Sequence, residues 1–84
     1  MKFENICVIG LGYIGLPTAS TFAAHGINVL GVDVNPNILE ILQQGDLHIV
    51  EPGLRPLFQE ALQNKKLTFS NKPAEAQAFL IAVP

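Results

Sequence analysis

The 84-residue chain holds one cysteine, two histidines and only five lysines and arginines. Each scarcity removes a class of function. A single cysteine forms no internal disulfide. Cys7 lies inside an apolar stretch with no base or cation beside it to activate the thiol, so it reads as a small buried hydrophobe and not a nucleophile. His25 and His48 stand far apart, and no metal-ligand spacing occurs, so no metal is expected. The formal charge is −2 and only Lys65-Lys66 are adjacent cations. Nucleic-acid binding wants a basic face, and no such partner is expected. No apolar run approaches the roughly 18 residues of a membrane span. Met1-Lys2 and the following apolar stretch bear a faint likeness to a secretory signal. Glu4 and Asn5 interrupt its basic part, and three glycines and Pro17 break the apolar part. A cytoplasmic protein with no membrane partner is the expectation. Repeats and low-complexity segments are also absent.

What is present is globular in character, with 49% hydrophobic residues. The length is small for a domain. A complete dinucleotide-binding domain needs two mononucleotide-binding halves, and 84 residues hold little more than one.

The strongest local signal is Gly10-x-Gly12-x-x-Gly15, directly after the apolar run Ile6-Cys7-Val8-Ile9. Asp33 closes a second apolar run, Val29-Leu30-Gly31-Val32, 18 positions after Gly15. A bare glycine pattern is weak evidence, because glycines also serve ordinary turns. Placed between a strand pattern and a helix pattern, with an acid at this distance, it is the dinucleotide-binding fingerprint. Gly10 turns the chain sharply out of the strand. Gly12 removes a Cβ so that a pyrophosphate can approach, and Gly15 lets the helix pack closely on the strand. The first-turn N–H groups of that helix and its dipole favour the phosphates. The Asp33 carboxylate is placed to accept hydrogen bonds from ribose hydroxyls. It would repel a 2′-phosphate, and Val34-Asn35-Pro36-Asn37 supply no cation to receive one. NAD is therefore expected over NADP, and FAD remains an alternative because it uses a similar fingerprint. Tyr13 and Ile14 occupy variable positions of the loop, and the Tyr13 ring should lie near a bound cofactor.

The remaining pattern alternates. Phe3 to Ile9 reads as a first strand and Tyr13 to His25 as a helix, with Ile14, Thr18, Ala19, Thr21 and Phe22 as its inward stripe and Gly26 as its stop. His25 sits favourably near the negative end of that helix dipole. Asn28 to Asp33 is a second strand. Asn35 caps a second helix with Pro36 at its first position, an apolar face of Ile38, Leu39, Ile41 and Leu42, and Gly45 at its end. Asp46 to Gly53 is a loop. Leu54 to Asn64 is a third helix, apolar at Leu54, Leu57, Phe58, Ala61 and Leu62, with Pro56 tolerated in its first turn. Glu51 reads as a favourable charge ahead of that helix, and His48 as a solvent-facing loop residue. Leu67 to Ser70 is a third strand, Pro73 to Ala78 a short helical turn with Asn71 as a possible cap, and Phe79 to Val83 a fourth strand. Such alternation predicts an α/β fold: a parallel, Rossmann-like sheet in the order 3-2-1-4 with flanking helices.

The run Val8-Ile9-Gly10-Leu11-Gly12-Tyr13-Ile14-Gly15-Leu16-Pro17-Thr18-Ala19 resembles the start of the UDP-glucose/GDP-mannose dehydrogenase family. So do Gly31-Val32-Asp33-Val34-Asn35, Glu51-Pro52-Gly53-Leu54 and the final Leu80-Ile81-Ala82-Val83-Pro84. The resemblance covers the whole chain. His48-Ile49-Val50-Glu51-Pro52 is most similar to members that act on UDP-N-acetylmannosamine, whereas members that act on UDP-glucose more often carry a Pro and Tyr version of this loop. The resemblance implies a double oxidation of a UDP-sugar primary alcohol to a carboxylate, with two NAD+ reduced. A cysteine of the family forms a thiohemiacetal and then a thioester. It implies that Tyr13 and Ile14 meet the dinucleotide near its pyrophosphate and that Asp33 holds the adenosine ribose. A homo-oligomer is the expected assembly. The family's catalytic cysteine, lysine and asparagine have no counterpart among these 84 positions, and the threonine that usually follows the Val-Pro of the fourth strand is absent. Residues 1–84 are therefore expected to be the N-terminal part of an NAD-binding domain, a fragment without activity alone. A non-catalytic nucleotide-sensing module, like the ligand-gating domains of potassium transport systems, is the alternative from another class. The Glu-Pro-Gly-Leu loop favours the dehydrogenase.

Overall fold

A computed structural model describes residues 4–82. The elements are β1 (Asn5–Ile9), α1 (Gly15–Ala24), β2 (Asn28–Val32), α2 (Pro36–Gln43), α3 (Leu54–Gln63), β3 (Leu67–Ser70) and β4 (Ala78–Ile81). Every strand pair is parallel and the sheet order is β3-β2-β1-β4, as the alternation predicts. Phe3 and Val83, assigned above to strands, and the final Pro84 lie outside the described residues.

The registers align two apolar rows across the sheet. Leu67, Val29, Ile6 and Ala78 form one, and Phe69, Gly31, Val8 and Leu80 the other. Both rows join the core with Leu16, Ala19 and Ala23 of α1, Leu39 and Leu42 of α2, and Leu54, Phe58 and Ala61 of α3. Phe58 is fully buried, and its ring meets Phe69 in a tilted pair with centroids 6.3 Å apart. The opposite rows carry Leu30, Cys7 and Phe79, then Val32, Ile9 and Ile81. Cys7 is buried there, while Phe79 and Ile81 on the outer strand are exposed.

Local chemistry sets the element ends. Asn35 caps α2 by accepting the Asn37 N–H at 2.9 Å, with Pro36 first in the helix. Gly26 (φ +95°) and Gly45 (φ +84°) take left-handed conformations after α1 and α2. Lys65 does the same after α3 at φ +60°, where a side chain is strained.

Several expectations need correction. The inward face of α1 is Leu16, Ala19, Ser20 and Ala23, while Ile14 and Thr21 are exposed and Thr18 is half-buried. The threonines turn outward and bond back along the helix, Thr18 Oγ1 to the Ile14 carbonyl and Thr21 Oγ1 to the Pro17 carbonyl, both at 2.8 Å. Residues 73–78 form no helical turn, and Asn71 caps nothing helical. Pro73 disfavours helix at Lys72. Gln77 straps the segment to β1: its N–H bonds the Asn5 carbonyl, and its side-chain oxygen accepts the N–H groups of Glu4 and Asn5. His48 is not solvent-facing. Both its ring nitrogens are shut off from solvent and unpaired, because the loop folds back with Leu47 and Ile49 against the core and Arg55 bridging to Asp46 at 3.1 Å. Glu51 keeps its place just ahead of α3, its carbonyl accepting the Leu54 N–H at 3.1 Å, and the N-cap is Gly53 at φ +80°.

Candidate functional site

The candidate site lies at the C-terminal ends of β1 and β2, where the first βα turn leaves the sheet. In an open parallel sheet this is where ligands bind, beside the point at which the strand order reverses. Here that point falls between β1 and β4, and β4 stays paired to the end of β1 through the Ala82 N–H and the Ile9 carbonyl at 2.7 Å.

The glycine loop is built from contacts that its three glycines permit. The Gly10 N–H continues the β1–β2 ladder to the Val32 carbonyl at 2.8 Å, and then φ of +97° turns the chain away. A Cβ on Gly15 would stand 1.6 Å from the Gly10 carbonyl oxygen and 3.3 Å from Ala82 Cβ. Only glycine lets α1 begin this close to β1. A Cβ on Gly12 would meet nothing within 4 Å. Its surroundings are open, so what a side chain there would fill is space available to a ligand.

Leu11 belongs to the support of the loop. It is fully buried, and its methyl carbons pack where a Cβ on Gly31 would come within 3.0 and 3.1 Å of them. The missing side chain of Gly31 in mid-strand is thus the seat of Leu11. The fingerprint treats Leu11 as a variable position, and sequence reasoning passed over it. The readable signal was a glycine inside an apolar strand, which marks a close approach.

Above this support the site is exposed and receptive to an anion. Tyr13 and Ile14 are 65% and 73% exposed, and Val34 beyond β2 is 87% exposed. The N-cap of α1 is Ile14, which accepts no first-turn N–H through a side chain, and the first turn holds no acidic residue. No side chain caps that start, although the Leu16 N–H is taken by the Gly12 carbonyl at 3.1 Å and Pro17 has no N–H, so the helix dipole and the turn ahead of it are what favour phosphate oxygens. The Asp33 carboxylate stands at the end of β2, with Oδ2 accepting the Leu11 N–H at 3.0 Å and Oδ1 the Asn35 N–H at 2.9 Å. Each carboxylate oxygen has a second lone pair for a ligand hydroxyl. Gly10, Gly12, Tyr13, Ile14, Gly15 and Asp33 are thus gathered at one end of the sheet, and a dinucleotide fits their chemistry.

Other features do not assemble a competing centre. Among the described residues no three His, Cys, Asp or Glu side chains could hold a metal together. A cavity of about 840 Å³ opens at the opposite ends of the strands, lined by Ile6, Phe22, Ile27, Ala78 and Leu80 among others. Its lining also includes Glu4, His25 and Lys66, and it contains neither the glycine loop nor Asp33. Asp46 is held below the usual carboxylate range by the Leu47 N–H and then by Arg55, which links the two ends of the α2–α3 loop. No described helix is long and apolar enough to cross a membrane.

A parallel sheet with an open glycine turn, an uncapped helix start and an acid at the next strand end defines a dinucleotide-binding α/β protein. Residues 4–84 match the NAD-binding domain of the UDP-glucose/GDP-mannose dehydrogenase family, and the chain belongs to that family. The UDP-N-acetyl-D-mannosamine dehydrogenase of Campylobacter jejuni is 53% identical over 83 residues, which cover 99% of this chain and 20% of that protein. The enzyme of the same name from Yersinia pestis is 52% identical over the whole chain, again 20% of its own length. Among solved structures, the UDP-N-acetyl-mannosamine dehydrogenase from Staphylococcus aureus superposes with a TM-score of 0.92 at 49% identity, over 95% of this chain and 19% of that one. A UDP-glucose dehydrogenase from Pyrobaculum islandicum superposes at 0.90 with 41% identity, over 98% of this chain and 20% of that one. The chain thus spans about one fifth of the length of the relatives it matches. The family's NAD-binding domain makes NAD the cofactor and sets FAD aside. It also sets aside the nucleotide-sensing alternative.

Proposed function

We propose that this chain is the NAD-binding portion of a dehydrogenase that oxidises the C6 alcohol of UDP-N-acetylmannosamine to the uronic acid with two NAD+. The observation that carries the reading is the joining of an open glycine turn to Asp33 across the ends of β1 and β2. NAD supplies the hydride acceptor when bound. With Gly10 making the turn and Gly15 the close helix approach, the open turn at Gly12 and the start of α1 would receive its pyrophosphate, Tyr13 and Ile14 would flank it, and Asp33 would accept from the adenosine ribose. The same carboxylate repels a 2′-phosphate. The assignment of UDP-N-acetylmannosamine over UDP-glucose rests on the names of relatives at 49–53% identity and on the His48-to-Pro52 loop. The whole enzyme works in the cytoplasm as a homo-oligomer that supplies uronic acids for polysaccharide synthesis. The reacting groups lie outside this chain, which binds cofactor without turnover.

Calorimetric titration tests the reading. The chain should bind NAD more tightly than NADP, and Asp33→Ala should weaken NAD by about tenfold or more, as expected for loss of charge-assisted hydrogen bonds. Unchanged NAD affinity in the variant sinks the ribose role. NADH formation from a UDP-hexosamine by the chain alone sinks its assignment as a cofactor module without chemistry.

A further inference from the structure

Both oxygens of the Asp33 side chain are engaged by backbone N–H groups. β1 and β2 pair in register through Ile9 and Val32, and the Gly10 N–H makes the next backbone bond to the Val32 carbonyl. Gly10 (φ +97°) then turns the chain, and the next N–H, that of Leu11, meets Asp33 Oδ2 at 3.0 Å. The carboxylate therefore joins the end of β2 to the glycine loop. Its other oxygen accepts the N–H of Asn35, the residue that caps α2. The Asp33 N–H is itself held by the Ser70 carbonyl of β3 at 3.2 Å. One carboxylate thus ties the loop after β1 to the cap of α2, from a backbone fixed on β3.

We infer that Asp33 is a positioning residue for the glycine loop as well as a ligand of the cofactor: by clasping the Leu11 N–H it sets the loop in its phosphate-receiving shape in the ligand-free protein. The inference rests on the cofactor reading above and adds a role that a ribose ligand does not need. Leu11 is the right residue to clasp. Its side chain is locked against Gly31, so its N–H and its side chain fix the loop from both sides. Gly12, which follows, has open space where a side chain would lie, and its carbonyl accepts the Leu16 N–H at 3.1 Å. A carboxylate suits this clasp better than its amide. Asparagine keeps one acceptor oxygen for two N–H donors and turns an NH2 group toward the other.

Amide hydrogen exchange of the ligand-free chain, read by NMR, tests the clasp. In the unsubstituted chain the Leu11 N–H should be protected, and Asp33→Asn should speed its exchange by about tenfold or more, the scale of one charge-assisted hydrogen bond. Val8 and Leu30 in the strands should keep their protection. A Leu11 N–H that exchanges freely in the unsubstituted chain overturns the inference even where the variant fails to fold. Unchanged Leu11 protection in a folded variant also overturns it. Inorganic pyrophosphate, which has no ribose, separates positioning from mere support. Removing a negative charge by itself should tighten pyrophosphate binding, whereas loss of the clasp should weaken it. Unchanged or tighter binding by Asp33→Asn, or no binding by the unsubstituted chain, refutes the positioning role. NAD titration of the same samples keeps the two readings apart. A protected, Asp33-dependent Leu11 N–H without NAD binding defeats the cofactor reading alone. NAD binding with an unprotected Leu11 N–H defeats the clasp alone.

Discussion

Gly15→Ala and Gly12→Ala remove glycines three positions apart in one loop, and the structure assigns them opposite outcomes. By helix propensity alone, alanine in place of glycine at the start of α1 should stabilise by up to about 1 kcal/mol. The contact geometry reverses that sign at Gly15. The new Cβ would stand 1.6 Å from the Gly10 oxygen and 2.8 Å from the Gly10 carbonyl carbon, both backbone atoms at the end of β1. No side-chain rotation relieves such an overlap. The helix has to retreat from the sheet, and Leu16, Ala19 and Ala23, all fully buried, retreat with it. Overpacking of cores costs about 1–3 kcal/mol, and a backbone overlap belongs at or above the top of that range. A chain of this length has a total stability of roughly 4–13 kcal/mol. A loss of about 3 kcal/mol lowers Tm by roughly 12–24 °C. Gly12→Ala meets nothing within 4 Å, so its stability should stay within about 0.5 kcal/mol, while NAD affinity falls because the methyl group occupies the ligand's space. Urea and thermal unfolding followed by circular dichroism, beside NAD titration, read both effects. A Gly15→Ala chain as stable as the parent, or a Gly12→Ala chain equally damaged, refutes the packing argument.

Other outcomes follow from single contacts. Ser20 Oγ is buried in α1 without a hydrogen-bond partner, so Ser20→Ala should stabilise by about 1 kcal/mol in urea unfolding. Lys65 adopts φ +60° after α3, and Lys65→Gly should raise stability by about 1 kcal/mol, against the usual cost of glycine. The folded Asp46 carboxyl is held below its unfolded value, so its contribution is present above the unfolded pKa and fades as pH falls through the folded one. Asp46→Asn should therefore lose stability at neutral pH and flatten the acid limb of a pH–stability curve, with a small amplitude because the Arg55 pair is exposed. The outer edge of β4 carries exposed Phe79 and Ile81 and no charge, and the 84-residue chain should self-associate with concentration in sedimentation runs.

The sheet order was legible because strands and helices alternate and Gly26, Gly45 and Pro36 punctuate them. The glycine fingerprint was legible because its spacing is dictated by backbone sterics, which depend on the missing Cβ alone. What sequence reasoning missed depends on tertiary partners. Leu11 counts as variable until Gly31 is seen beneath it. Thr18 and Thr21 fit an inward stripe by spacing, but their hydroxyls find helix carbonyls and turn outward. Residues 73–78 carry a helical composition, yet the bonds of Gln77 to Glu4 and Asn5, more than 70 positions away in sequence, tie the segment to β1. His48 is polar and in a loop, and only the fold of residues 46–55 shows that its ring nitrogens are enclosed.

The central claim is that the glycine loop and Asp33, and not the cavity at the other end of the sheet, receive NAD. Mapping amide chemical shifts during NAD titration tests it most directly. The account predicts the largest shifts at Gly12, Tyr13, Ile14 and Asp33, with Ile6, Phe22 and Leu80 unmoved. Shifts centred on Ile6, Phe22 and Leu80, or no shifts with NAD in excess, would contradict it.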